Sequence, residues 1–254
     1  VVMDIQRVIK SPIATTQEVA AAIEKDAVIS LRLIATANSP LYRGAKKVLT
    51  VREAVPRLGI KQTQSIVNAI ANRGLYETTN EEFTALMQRL WLHALASAYT
   101  ARAIAKLTKR DDYEIYFTYG LVHDIGKVLL VRAALEKMQR GVADMTTDTI
   151  LPLIQNAHTE IGALLLERWG FPEQFKNAAL LHENDSYSEA TPHEVLVVNL
   201  ANLLTRSFGC SLFSSDENTS AAYPAAQLLK IEMAALQSIA AEVKSIMHDS
   251  PTLF

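Results

Sequence analysis

Residues 121–130 read LVHDIGKVLL, and the centre of this run sets an imidazole and a carboxylate, His123 and Asp124, side by side among apolar neighbours. A carboxylate so placed needs a partner, because taking an unpaired charge out of water is costly. The partners on offer are a metal ion, His93 or Lys127. Three more histidines lie in segments patterned to pack nearby. His93 falls in LWLHALASAYTARAIAKL, His158 opens HTEIGALLLERWGF, and His182 closes FPEQFKNAALLHEND. Imidazoles and a carboxylate gathered from several segments are the ingredients of a divalent-metal site.

Each histidine also has a purely structural reading. His93 on an apolar helix suits a hydrogen-bonded core residue. His158, followed by Thr159 and Glu160, suits a helix N-terminus. His182 near a helix end can meet the last free carbonyls. His193 and His248 read as surface or cap residues.

Working outward, apolar residues recur at three- and four-residue spacing almost throughout, and no stretch alternates cleanly, which predicts an all-α chain. Only Lys47–Thr50 leans towards a strand. Thr50-Val-Arg-Glu53 has the pattern of a capping box, and Gly59 suits the left-handed position that ends that helix. Pro56 falls inside it and predicts a kink or a 3₁₀ turn. Asn38-Ser39-Pro40 should end the preceding helix, since a residue before proline avoids the α region. Gly170-Phe171-Pro172 should end one helix and place a proline in the first turn of the next. Loops are expected near Tyr76–Asn80, Asp144–Asp148, Asp185–Pro192 and Ser211–Ser220. The first would separate an N-terminal helical lobe, residues 1–76, from a larger remainder, 77–254. The Tyr223–His248 segment is amphipathic enough to pack within the chain or across a dimer.

Composition narrows the function classes. At 254 residues, with 49% hydrophobic and 20% charged, the chain can bury a full core. Its apolar runs are short and broken by charge, so no span of a bilayer is expected. The net charge is −2 and the pI about 6.3. Lys46-Lys47 and the group Lys106, Lys109, Arg110 form no basic stripe, so direct nucleic-acid binding is not expected. A single cysteine, Cys210, suits a reducing cytoplasm. The chain starts at Val1 without an initiator methionine and shows no signal peptide, which leaves room for an upstream segment.

The motif LVHDIGK resembles the signature of HD-superfamily metal-dependent phosphohydrolases. HTEIGALLLERWGFPEQFKNAALLHE is similar to the corresponding stretch of HD-GYP cyclic-dinucleotide phosphodiesterases and of HDOD domains. DAVISLRLIATANSPLYRG, followed by VREAVPRLGIKQTQSIVNAIA, resembles the HDOD hallmark and decides between the two. The resemblance runs from about residue 16 to about residue 210. It implies a multi-helix HD-like fold and a metal set made of His93, His123, Asp124, His158 and His182, with Asn202 where the family's closing aspartate stands. Glu183 takes the place of the second histidine of the HD-GYP doublet, and the Gly-Tyr-Pro loop is absent.

An amide at Asn202 brings no charge, which weakens a transition-metal site. The resemblance therefore implies an output or scaffold module of bacterial signal transduction, leaning towards no catalysis. Protein partners are expected, with a nucleotide as a further ligand, and Asn38, Ser39 and Tyr42 as contact residues. The NSPLY turn that holds them also reads as a plain helix terminator that packs Tyr42. The alternative is a metal-dependent phosphohydrolase acting on a nucleotide or cyclic dinucleotide, with Asp124 and Lys127 as its reactive residues. The ion would be Fe, Mn, Zn, Ni or Mg, and an empty, purely structural pocket is the other outcome of the Asn202 replacement.

Overall fold

In a computed structural model the described residues are 2–39, 41–142, 144–184, 186–206 and 223–249. Among them every regular element is helical, in the order α1 (Val2–Ile9), α2 (Thr16–Ile23), α3 (Ala27–Ala37), α4 (Val51–Leu58), α5 (Ile60–Arg73), a 3₁₀ turn (Gly74–Tyr76), α6 (Glu81–Leu107), α7 (Ile115–Val122), α8 (Ile125–Gln139), α9 (Thr147–Arg168), α10 (Glu173–Leu181), α11 (His193–Thr205), α12 (Pro224–Leu228) and α13 (Met233–Asp249). The all-α expectation holds. The chain forms two compact units, one made of residues up to Gly74 with the segment from Lys244, the other of Leu75–Val243. The expected loop at 211–220 and Cys210 lie outside the described residues.

In the first unit, helices α1 to α5 enclose an aliphatic core that includes Ile5, Val19, Ile23, Leu33, Val55 and Val67. The Thr50 hydroxyl accepts from the Glu53 amide at 3.2 Å, and the Glu53 carboxylate accepts from the Thr50 amide at 3.0 Å. The α3 helix ends at Ala37, as the residues before Pro40 predict. The β-leaning stretch forms no strand. The Val48 amide donates to Asn38 Oδ1 at 2.8 Å, and Asn38 Nδ2 donates back to the Val48 carbonyl at 2.7 Å, so an amide side chain supplies the pairing that a strand would have given. Gly59 ends α4 with φ 77°, the positive φ expected of a glycine there, although its ψ of 156° lies outside the left-handed helical well, and it turns α4 directly into α5. Helix α4 stays α-helical through Pro56, with no 3₁₀ turn, and ends at Leu58; the bond to the Arg52 carbonyl is lost there.

The second unit positions the site. Helix α6 packs on α7 and α11, α8 on α9, and α10 on α9 and α11. Phe83, Leu95, Ile104, Phe117, Leu121 and Ile150 are among its fully buried side chains. Helix α11 is buried at almost every position from Val195 to Thr205, which makes it the inner helix of this unit. The loop before α9 is shorter than expected, because Thr146 and Thr149 form a capping box and the helix starts at Thr147. Pro172 stands at the N-cap of α10 rather than inside its first turn, after Gly170 at φ 73°.

Two glycines permit the tight contacts. A Cβ on Gly120 would lie 2.5 Å from the Ser97 carbonyl oxygen, so α7 approaches α6 at backbone distance. A Cβ on Gly126 would lie 1.9 Å from the His158 carbonyl oxygen and 2.7 Å from the Gly162 amide nitrogen, so α8 approaches α9 equally closely. Ordinarily alanine in a helix is favoured over glycine by about 1 kcal/mol. Here backbone atoms stand in the way, and overpacking of this kind costs about 1–3 kcal/mol or more. Gly126→Ala is accordingly expected to lower stability by at least about 2 kcal/mol in a denaturant melt; a neutral or stabilising effect would contradict the packing.

Candidate metal centre

The HD doublet does not lie inside one helix. His123 is the last residue of α7's frame, and Asp124, at φ −101° and ψ 15°, breaks it before α8 begins at Ile125. Consecutive residues on a continuous helix point about 100° apart, whereas this break lets both side chains enter one pocket. Asp124 holds the N-cap position of α8 yet makes no side-chain cap bond, because its carboxylate is turned inward. His93 comes from the buried face of α6, His158 from the middle of α9 rather than from a helix start, and His182 from the end of α10.

The four imidazoles surround Asp124. His93 Nε2 and His123 Nε2 each lie 3.4 Å from Oδ2, while His182 Nε2 and His158 Nε2 lie 3.3 and 3.6 Å from Oδ1. All five residues are between 0% and 5% exposed. Two triads result, His93–His123–Asp124 and Asp124–His158–His182, each with ligand atoms within 4.8 Å of one another. The carboxylate is shared between them.

The other ring nitrogens fix how the histidines are used. His123 Nδ1 meets the Gly120 carbonyl at 2.8 Å, His158 Nδ1 the Ile154 carbonyl at 2.8 Å, and His182 Nδ1 the Ala179 carbonyl at 2.9 Å. A carbonyl only accepts, so each Nδ1 carries the proton, and in a neutral ring Nε2 then presents a lone pair. His93 Nδ1 faces the Thr205 hydroxyl at 3.5 Å, and that hydroxyl donates to the Ala201 carbonyl at 2.9 Å, which leaves it free to accept. Four buried Nε2 atoms and Asp124 Oδ1 thus have no hydrogen-bond partner. Lone pairs facing a carboxylate without a proton between them repel, and a cation is what relieves them together.

The residues fit a metal. Two donors held ~2.1 Å from one ion stand roughly 3.0 Å apart on an octahedral edge and roughly 3.4 Å on a tetrahedral one. The His93, His123 and His182 distances to Asp124, 3.3–3.4 Å, match the tetrahedral edge, and that of His158, 3.6 Å, lies just beyond it. Asn202 Oδ1 is another buried atom without a partner, while Asn202 Nδ2 donates to Glu183 Oε1 at 3.4 Å.

Charges inside the second unit complete the pocket. Lys127 Nζ donates to Asp124 Oδ2 at 2.7 Å and lies 3.7 Å from Glu183 Oε1. Glu183 reaches towards His158 Nε2 at 3.5 Å and His182 Nε2 at 3.8 Å, and it is bound by Arg206. Sequence reading counted Glu183 only as a lost histidine and passed over Arg206 and Thr205; adjacency to His182 was the one available signal for Glu183. Asn38, Ser39 and Tyr42 belong to the first unit, and the Asn38 amide is committed to the Ile34 and Val48 backbone.

Burial, above all, lowers the pKa of His93, of His158 and, furthest, of His123. Asp124 is held well below the usual carboxylate range: burial opposes its ionisation, and the permanent positive charge working against burial is the Lys127 ammonium, 2.7 Å from Oδ2. Burial likewise opposes ionisation of Glu183, and the cations Lys127 and Arg206 help to bring its pKa down on balance.

A family model, the HDOD domain, matches residues 1–185, and the chain belongs to that family. An uncharacterised protein of Treponema pallidum is 29% identical over 192 residues, 72% of this chain and 36% of its own length, so the chain spans about a third of that relative. Among solved structures, an HDOD domain protein of unknown function from Geobacter sulfurreducens superposes with a TM-score of 0.73 at 21% identity, covering 100% of this chain and 91% of that one. A Shewanella amazonensis protein assigned as a metal-dependent phosphohydrolase gives 0.70 at 21% identity, covering 97% and 90%. A Marinobacter aquaeolei protein assigned to signal transduction gives 0.70 at 20% identity, covering 99% of this chain and 58% of that one. These likenesses show the fold.

The depressed histidines set a pH dependence. In the unfolded chain they titrate near 6.5, whereas in the fold they stay neutral. The unfolded state therefore takes up more protons below that pH, and stability falls as pH falls, by at most about 1.4 kcal/mol per unit for each histidine. Asp124 acts in the same direction only below about pH 4. Metal-free protein is expected to melt at a clearly lower temperature at pH 5.5 than at pH 7.5; an unchanged or higher melting temperature would contradict neutral, buried imidazoles.

Proposed function

We propose that this HDOD domain is a non-catalytic output or scaffold module of bacterial signal transduction, with a divalent ion bracing its His–Asp pocket. The observation that carries the reading is the burial of the candidate ligands. His123, Asp124, His158, His182 and Asn202 are 0–2% exposed, and the side chains at the pocket's solvent side, Glu183 at 26% and Arg206 at 29%, are paired with each other. Metal-assisted phosphoester cleavage needs a phosphoryl oxygen and a water at the ion, and the burial of these ligands among the described residues supports a reading without that access. The imidazole-rich donor set favours Fe, Zn or Ni over Mg, and the shared carboxylate admits Mn.

In that role His93, His123 and Asp124 Oδ2 form one part of the ligand set, and Asp124 Oδ1, His158 and His182 the other, with the Asn202 amide oxygen in reserve. The bound ion would neutralise Asp124 and tie α6, α8, α9 and α10 to one point. Protein partners in a cytoplasmic signalling pathway are part of the proposal, a nucleotide is its further ligand, and Asn38, Ser39 and Tyr42 are contact candidates. The N-terminal lobe, residues 1–76, and the HD-like lobe, 77–254, together make one HDOD domain in this reading. No described helix is long and apolar enough to cross a membrane.

The second reading, a phosphohydrolase using Asp124 and Lys127, is favoured by the convergence of four Nε2 atoms on one carboxylate. Both readings meet in one experiment on the protein supplied with Mn²⁺ or Fe²⁺ and then freed of loose ion. Elemental analysis is expected to find bound metal in the wild type and at least about tenfold less in Asp124→Asn, the order of loss known for perturbed metal sites. Bis(p-nitrophenyl) phosphate and cyclic dinucleotides are expected to remain uncleaved. Turnover that Asp124→Asn abolishes would establish the hydrolase instead, and a wild type that retains no ion would remove the metal from both readings.

A further inference from the structure

We infer that Glu183 is a metal ligand held in reserve, that it replaces the negative charge missing at Asn202, and that Arg206 is the latch competing with the ion for it. The inference rests on the proposed metal site and concerns what governs that site's affinity.

The Glu183 carboxylate is used unequally. Its Oε1 is bound by Arg206, accepts from Asn202 Nδ2 at 3.4 Å, and lies 3.7 Å from Lys127 Nζ. Its Oε2 points at His158 Nε2 from 3.5 Å, a nitrogen whose lone pair has no partner. His182 Nε2, equally unpartnered, lies 3.8 Å from Oε1. Glu183 thereby stands between the two histidines of the Asp124–His158–His182 triad, its Oε2 towards His158 and its Oε1 towards His182, and a ring of four residues closes in the order Asp124, His158, Glu183, His182 with distances of 3.6, 3.5, 3.8 and 3.3 Å. Two imidazoles and two carboxylates are a sound donor set for Mn, Fe or Zn. Asn202 stands on the other side of this charge balance: it contributes an uncharged oxygen and spends its amide on Glu183 rather than on a backbone group.

Arg206 sets how readily Glu183 is released. It is the residue next after α11, one position beyond Thr205, which faces His93, and it is part-exposed like Glu183. A guanidinium binds a carboxylate with directional, charge-assisted bonds, so an ion that recruits Glu183 must first win it from Arg206. The pocket then has two states of similar composition: Glu183 latched to Arg206, or Glu183 turned to the ion with the guanidinium released to solvent.

Calorimetric titration of the metal-free protein with Mn²⁺ tests this, using Glu183→Gln, Arg206→Met and the double variant, each checked by thermal melting. Glu183→Gln is expected to weaken Mn²⁺ binding at least about tenfold, the size of change typical when a metal site loses a supporting group. Arg206→Met is expected to tighten it by a similar factor. In the double variant the gain from Arg206→Met should vanish, because there is no carboxylate left to release. A gain that persists without Glu183 would show only long-range removal of positive charge and would overturn the latch, as would wild-type binding that neither single variant changes. If neither the wild type nor Arg206→Met binds Mn²⁺, the metal site itself is refuted. Should Arg206→Met melt at a much lower temperature, Arg206→Lys, which keeps the charge but loses the planar fork, is expected to tighten binding by a smaller factor; no tightening there would overturn the latch.

Discussion

Everything in the second unit answers to one buried carboxylate. Asp124 is 2% exposed and ionised, with a single ammonium, Lys127, on one oxygen and four imidazole nitrogens around the pair. A charge this deep is tolerated only when its surroundings are arranged for it. The arrangement is visible in three histidines whose Nδ1 atoms are committed to helix carbonyls, so that the lone pairs on Nε2 must face inward. Their repulsion is the physical demand that a cation answers.

The helices are placed to meet that demand, at some local cost. Aspartate is among the best N-cap residues, with a cap bond worth about 1 kcal/mol, yet Asp124 at the start of α8 gives this up and points into the pocket. Gly120 and Gly126 let α7 and α8 approach α6 and α9 at backbone distance, which brings His93, His123 and His158 within reach of one another. Thr205 on the inner helix α11 then steadies His93, and Asn202, one turn earlier, holds Glu183.

Much of this was legible in the residues. The all-α class followed from periodicity, and the Thr50–Glu53 capping box was readable because both partners lie within one turn. The His123–Asp124 doublet and its companions His93, His158 and His182 were readable as a set through their motifs. The break between α7 and α8 was not, since neither residue at it is a glycine or proline and Asp124 forms no cap. Nor was His158's place in mid-helix, because Thr159-Glu160 imitates an N-terminus. The Glu183–Arg206 pair depends on how α10 meets α11, and a pairing made by tertiary packing leaves no spacing rule in the chain. At Val48 the sequence leaned towards a strand, and the Asn38 side chain took the strand's place.

The most direct test of the account is the protonation of the four pocket imidazoles, read by ¹⁵N NMR on histidine-labelled protein at neutral pH, metal-free and with Zn²⁺. The account predicts the proton on Nδ1 for His123, His158, His182 and His93, neutral rings for His93, His123 and His158, and a Zn²⁺-induced shift confined to Nε2. Rings protonated on Nε2, or charged imidazolium rings unmoved by Zn²⁺, would mean that Asp124 is satisfied by protons and that the pocket has no call for a metal.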